Sequence, residues 1–326
     1  MAIRIGVVGT GGIAQGHMDR FAALEGVELV GFTDVQAQRA QAAAEKFGGR
    51  AYTDGRQMLD AEDLTAVAVF TPPFAHGEVE IEACNRGLHL FIEKPICIDT
   101  DMARPILEAV QRSGIITAVA YKYRWDDHVC KAREMLAGKT LGLAVGWFWT
   151  GVPGVPWWRI MQTSGGQMVE QTTHIVDMAR YLCGEIAAVS AFYALRAAHT
   201  DFEDLDVPDV GAANLVFDNG AVGNISNCCL LKGWGSSGIR VMAHGFTLEI
   251  VGHRLTWNSP EDSGEYTCQQ DGYQGEDAAF VEAVRTGDRS GIHSDYADAY
   301  RSLAVTVACN RSAEEAGRVV SVSEVV

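Results

Sequence analysis

Along the first third of the chain, short β-branched runs alternate with stretches of helical period. Ile3 to Val8, Val27 to Thr33, Ala66 to Phe70, Leu88 to Ile92 and Ile115 to Ala120 are almost wholly apolar, the pattern of strands covered on both faces. Between them, Ile13 to Leu24, Gln36 to Phe47, Gly77 to Arg86 and Thr100 to Arg112 repeat apolar residues every three or four positions, which predicts amphipathic helices. Such alternation implies a doubly wound parallel sheet with right-handed crossovers. After residue 122 the texture changes. Gly142 to Trp149, Ala187 to Tyr193, Gly211 to Phe217, Ala221 to Asn227, Ile239 to His244 and Thr247 to Val251 alternate in polarity and are separated by turn residues such as Asp218-Asn219-Gly220, which predicts antiparallel strands. One long helix is expected from Met168 to Cys183, stopped by Gly184, and two more near Glu276 to Arg285 and Tyr296 to Ala316. No repeat or polar linker intervenes. The reading is an α/β protein of two domains, residues 1–122 and 123–326.

Composition agrees with two cores and narrows the partners. The chain has 326 residues, 48% of them apolar, beyond the length at which a single core stops growing. No window has the apolar length of a membrane span, and the opening Met-Ala-Ile-Arg-Ile runs straight into a strand rather than a secretory leader, so a cytoplasmic protein is expected. A net charge of −16 is the wrong sign for nucleic acid or an anionic membrane surface and suits a small neutral or cationic ligand. The eight cysteines lack paired or CxxC spacing and read as reduced, buried side chains, with no metal site expected. All seven tryptophans fall after residue 122, and flat aromatic faces suit the C–H faces of sugars. Trp147 and Trp149, on alternating strand positions, read rather as sheet packing.

Four local patterns carry chemistry. Gly9-Thr10-Gly11-Gly12-Ile13-Ala14 is a GxGxxA run between a strand and a helix, where a tight turn lets a pyrophosphate approach backbone N–H groups at the positive end of the helix. Asp34, ending the next strand, is placed to accept ribose hydroxyls, and no cation at Val35 or Gln36 offsets its charge against a 2′-phosphate, so NAD is expected over NADP. Thr71-Pro72-Pro73-Phe74-Ala75-His76 follows the strand at Ala66, where ligands of open α/β sheets bind; His76 either touches ribose or pyrophosphate or is held locally at a helix start. Glu93-Lys94-Pro95 places a lysine at a strand's carboxyl end. Alone that is an ordinary surface lysine; after the other motifs it is a candidate cation for an alkoxide. In Gly165 to Asp177, a continuous helix would put Glu170, His174 and Asp177 on one face, either as a carboxylate-oriented general base or as a buried structural pair.

GxGxxA, TPPxxH, EKP and GGxxxExxTHxxD, in that order across essentially the whole chain, resemble the Gfo/Idh/MocA oxidoreductases. The resemblance implies an N-terminal Rossmann domain, then an α/β domain with a large, open, mostly antiparallel sheet that helps form the substrate site and a homodimer or homotetramer interface. It implies that Gly9, Gly11, Gly12, Ile13, Ala14, Asp34, Thr71, Pro72, His76, Glu93 and Lys94 hold the cofactor. Lys94 matches the catalytic lysine, with a bond to Pro95 that is often cis, and His174 the catalytic histidine. Glu170 stands where many members have aspartate, and Thr172 where glycine is frequent. Tyr121, Lys122, Tyr123, Arg124 and Trp125 resemble a segment bordering the substrate, with Trp157, Trp158 and Arg159 as another wall. The activity implied is hydride transfer between NAD and a secondary hydroxyl of a sugar, cyclitol or related polyol. Two rivals are an NAD-recycling glycosidase and a non-catalytic NAD-sensing protein.

Overall fold

The first sheet grows from β1 (Ile3–Val8), whose side chains are buried apart from those of Arg4. There follow α1 (Gly12–Ala23), β2 (Val27–Thr33), α2 (Ala37–Phe47), β3 (Arg50–Tyr52), α3 (Gly55–Ala61), β4 (Ala66–Val69), α4 (Glu78–Asn85), β5 (His89–Ile92), α5 (Thr100–Ser113) and β6 (Thr117–Val119) in the computed structural model, which describes residues 2–326. Among the described residues these strands form a six-stranded sheet in the order β3-β2-β1-β4-β5-β6, parallel throughout. The order reverses between β1 and β4, so the connections leaving these neighbours diverge and open a crevice at their carboxyl ends.

The chain continues through α6 (Asp127–Leu136), β7 (Leu141–Trp149), α7 (Met161–Ser164), α8 (Gly166–Glu170), α9 (Thr173–Cys183), β8 (Ile186–Ala194), β9 (Val210–Phe217), β10 (Val222–Cys228), β11 (Ser236–Ala243), β12 (Phe246–Val251), β13 (Arg254–Asn258), β14 (Ser263–Thr267), α10 (Gly272–Thr286), α11 (Tyr296–Glu314) and β15 (Val320–Ser321). The second sheet has nine strands among the described residues, ordered β14-β13-β12-β11-β7-β10-β9-β8-β15. It is antiparallel except where β7 and β10 run together. Its inner face sets Leu215, Phe217, Ile225, Ile239, Val241 and Ile250 against Ile175, Val176, Ala179 and Leu182 of α9 in one buried core. So close is α9 that a Cβ on Gly146 would lie 2.5 Å from Ile175 Cγ2. The opposite face leaves Val216, Val222 and Leu143, register partners across β9, β10 and β7, at least a third exposed.

Two expectations change. The helix from Met168 to Cys183 is broken, α8 ending at Glu170 and α9 starting at Thr173. Gln167 is the cause. Its carbonyl accepts the N–H of both Gln171 and Thr172, and its side chain is tied to Asn227 and to the carbonyl of Cys228 on β10, so the helical ladder slips there. The division at residue 122 also changes. One compact unit comprises the chain up to Cys97, Asp101–Lys122 and Gly272–Ala299; the other comprises Ile98–Thr100, Tyr123–Asp271 and Tyr300–Val326. Helix α10 joins the first because Phe280, Val281 and Ala283 enter the same core as Phe21, Phe91 and Ile116. The ring of Phe280 sits 5.6 Å from that of Phe91.

Candidate active site

The turn leaving β1 is shaped by backbone contact. Gly9 has φ +85°, and a Cβ there would lie 2.8 Å from the Phe70 carbonyl oxygen at the exit of β4, so glycine alone fits. Gly11 caps α1 and Gly12 opens it; a Cβ on either meets nothing within 4 Å, and the N–H groups of the first turn have no partner within the helix. Ile13 is exposed, while Ala14 is buried beneath it. Asp34 locks the turn to β2. Its Oδ2 accepts from Thr10 N (3.0 Å) and Thr10 Oγ1 (3.1 Å), and its Oδ1 accepts from Gln36 N (2.8 Å). Val35 beside it is 92% exposed and brings no charge.

Beyond β4, Pro72 and Pro73 lead into a single turn ending at His76. His76 Nδ1 lies 2.6 Å from Glu80 Oε1, and Glu80 Oε2 accepts the Gly77 N–H at 2.8 Å. Burial works to raise the Glu80 carboxyl, but His76 and the Gly77 N–H outweigh it and hold the group below the usual carboxylate range. His76 is thus held locally, by a carboxylate. Its Nε2 and the Thr71 Oγ1 remain buried without a hydrogen-bond partner among the described residues. The open α1 terminus, the fixed carboxylate at Asp34 and these two polar atoms fit a dinucleotide, with pyrophosphate on the helix N–H groups and ribose toward Asp34.

At the end of β5, Glu93 is buried, Lys94 is half-buried and the Lys94–Pro95 bond is cis. Glu93 belongs to a cluster that sequence reasoning missed. His17 Nε2 lies 3.3 Å from Glu93 Oε1, and His17 Nδ1 lies 2.6 Å from Asp277 Oδ1. Arg20 Nε donates to Asp277 Oδ2 at 2.6 Å. Lys122 donates to the Tyr273 hydroxyl at 2.9 Å, and Tyr121 is buried nearby in sequence. The one available signal was His17 itself, an imidazole among Ala14, Met18 and Phe21 on the apolar face of α1.

In the second unit, His174 lies in the first turn of α9, half-buried, with its ring 5.2 Å from that of Tyr123. Glu170 closes α8 and accepts from Trp158 Nε1 at 2.8 Å. The break between the helices means that Glu170 and His174 do not share a helical face. Asp177 is structural: Arg124 grips it through Nε (2.8 Å) and Nη2 (2.7 Å), and Ser302 Oγ donates to it at 2.7 Å. Arg124 is therefore engaged inside the fold rather than presented to a ligand. Trp125 and Trp158 are also buried, the latter in a small core with Leu205 and Val207, while Trp157 stays half-buried. Arg159 pairs with Asp204 at 2.7 Å and stacks on Phe202.

These features define a class: an oxidoreductase whose first domain is an NAD-binding Rossmann fold. Residues 3–121 match the family described as "Oxidoreductase family, NAD-binding Rossmann fold", and residues 129–256 match its GFO/IDH/MocA C-terminal domain. The chain belongs to the GFO/IDH/MocA oxidoreductase family. It is 27% identical to the myo-inositol 2-dehydrogenase of Thermotoga maritima over 99% of this chain and 100% of that one. It is 28% identical to an uncharacterised oxidoreductase of Bacillus subtilis over 68% of this chain and 66% of that one. In fold it is similar to levoglucosan dehydrogenase solved with NADH and levoglucosan, with a TM-score of 0.86 at 22% identity, covering 99% of this chain and 100% of that one.

Proposed function

We propose that this protein reversibly oxidises a secondary hydroxyl of a sugar, cyclitol or related polyol, with NAD as the hydride acceptor. The observation that supports this reading is the half-buried Lys94 at the carboxyl end of β5 in an NAD-binding sheet. NAD, when bound, supplies the electron chemistry at its nicotinamide. Gly9, Gly11, Gly12, Ile13 and Ala14 shape the turn for its pyrophosphate, Asp34 takes the ribose hydroxyls, and Thr71, Pro72, His76 and Glu93 complete the crevice. Lys94 Nζ holds the charge that builds on the substrate oxygen. His174 accepts the hydroxyl proton at a ring nitrogen. Glu170, oriented by Trp158, accepts a hydrogen bond from a substrate hydroxyl, with Tyr123, Trp157 and Arg159 lending further contacts.

The exposed apolar row Val216–Val222–Leu143 supports a homodimer or homotetramer built through the open face of the second sheet; light scattering that returns a monomer at micromolar concentration overturns this. We place the enzyme in the cytoplasm, where NAD is available and its free cysteines stay reduced. Among the described residues no helix is long and apolar enough to cross a membrane.

The test is NADH formation over a panel of inositols, aldoses and anhydro sugars. Net NADH with at least one is expected; a recycling glycosidase accumulates none, and a binding protein turns nothing over. With that substrate, Lys94→Ala and His174→Ala each lower kcat by about 10²-fold or more, the loss typical of an oxyanion-stabilising group or a general base. A His174→Ala variant with normal kcat and an unchanged pH profile returns the helix to a structural role and turns the search for the base to Tyr121 and Tyr123.

A further inference from the structure

The reaction just described gives His17 no role, yet its partner Glu93 is the residue before Lys94. His17 is fully buried, and its two ring nitrogens face carboxylates from opposite ends of the chain: Glu93, 76 positions on, and Asp277, 260 positions on. Both nitrogens can donate only as imidazolium. Burial opposes that charge, but the hydrogen bonds and charges of Asp277 and Glu93 outweigh it and hold the imidazole above its ordinary value. The ring has little freedom. It stacks on Phe70 at 4.9 Å, with Phe91 at 5.2 Å and the edge of Tyr273 at 5.6 Å. Phe70 precedes Thr71, so one imidazole touches the exits of both β4 and β5.

The surrounding charges leave it this one task. From α1 come His17 and Arg20, from β5 Glu93 and Lys94, from α10 Tyr273, Glu276 and Asp277, and from the end of the first segment Lys122. Glu276 has both carboxyl oxygens buried without a hydrogen-bond partner. Burial, then the charges of Glu93 and Asp277, push its carboxyl well above the usual range. His17, Glu276 and Asp277 offer atoms within 4.8 Å of one another, close enough to suggest a metal cage. Both His17 nitrogens are already directed at carboxylates, however, and Arg20 occupies Asp277, so ion pairing accounts for the group. Without the imidazolium, Glu93 would remain a buried carboxylate beside Asp277 and Glu276, and relief would come through movement of the turn it begins.

We propose that His17 is a positioning residue for Lys94: by tying Glu93 to Asp277 of α10 it fixes the strand end that carries the catalytic cation. This rests on the role given to Lys94 above. Displacement of a reacting group by an ångström can cost about 10²-fold in rate, so the effect belongs in kcat rather than in cofactor affinity.

The experiment compares His17→Asn, His17→Gln, Glu93→Gln and Lys94→Ala by kcat with the substrate from the NADH screen, NADH affinity by fluorescence, and melting temperature. The Asn amide reaches only the Nδ1 position, toward Asp277, whereas the longer Gln amide reaches the Nε2 position, toward Glu93. His17→Asn is expected to lose about tenfold or more in kcat with NADH affinity within about threefold of wild type, and His17→Gln to recover most of that loss. Glu93→Gln, which keeps the side-chain shape, is expected to fall with His17→Asn and guards against misfolding of the histidine variants. If Lys94→Ala loses its activity while folded His17→Asn or Glu93→Gln keeps a normal kcat, the positioning role is overturned and the lysine stands. It is likewise overturned if both histidine variants merely melt earlier with unchanged kcat. If Lys94→Ala keeps its kcat, the catalytic reading falls and this one with it.

Discussion

The two sheets hold their chemistry in different ways. In the parallel sheet the candidate cofactor residues are runs of neighbours in sequence, Gly9 to Ala14, Thr71 to His76 and Glu93 to Pro95, each directly after a strand. Parallel strands bring all their carboxyl ends to one edge, so residues that follow different strands are gathered without further instruction. In the nine-stranded sheet nothing gathers strand ends in that way. Tyr123, Trp158, Glu170 and His174 come from a single-turn helix, a second such turn, a five-residue helix and the start of α9, and side-chain contacts such as Trp158 to Glu170 hold them. Topology places the first set; long-range pairing places the second.

The sharpest way to break this contrast is to remove one long-range pair. Asp177→Ala leaves the Arg124 guanidinium buried without its carboxylate, both side chains being 5% exposed or less. The expected loss is about 3–5 kcal/mol in denaturant unfolding, and a loss below about 1 kcal/mol would show that pairing does not hold the second unit. Next in size is cofactor choice, which depends on the topological set. With Asp34 at the ribose site as proposed, kcat/KM should favour NAD over NADP by about tenfold or more. Asp34→Ser combined with Val35→Arg should shift the preference toward NADP, and equal use of both cofactors by the wild type contradicts the assignment. The smallest effect is in pH. The Glu276 carboxyl and the His17 imidazole are both held above their ordinary values of 4.5 and 6.5. Groups raised in this way stabilise the fold fully below those values, and the contribution is lost as pH rises through the folded-state values. The melting temperature should therefore fall as pH rises above those ordinary values, and Glu276→Gln, which cannot ionise, should fall less; an equal fall would mean that Glu276 makes no such contribution.

The same contrast explains what the sequence made legible. Hydrophobic period located β1 and β2 to the residue and most other strands to within a few positions, because their burial is either nearly continuous, as in β1, or alternating, as in β9. It passed over β3, β13, β14 and β15, short strands with at most one buried side chain each, and it extended one helix through Gln171 and Thr172, where ties from Gln167 to β10 override local period. The candidate cofactor residues were readable because each motif is local. The His17 cluster was not, since neither of its partners lies within 70 residues of it. Nor could spacing show that Asp177 belongs to Arg124, 53 positions earlier, rather than to His174.

The late return of α10 to the first sheet has a consequence for synthesis. Gly272 is 150 positions after Lys122 (272 − 122), so at ordinary translation rates the NAD-binding half waits roughly 8–30 seconds on the ribosome for its last helix. Until then Phe21 and Phe91 lack the cover of Phe280, and His17 has Glu93 but not Asp277. Side chains that α10 covers in the finished fold thus stay uncovered meanwhile, the kind of apolar surface that makes a partly folded chain prone to aggregation. The Rossmann unit is completed by Gly272–Ala299, which follow most of the second unit in the chain, not by the residues that begin it.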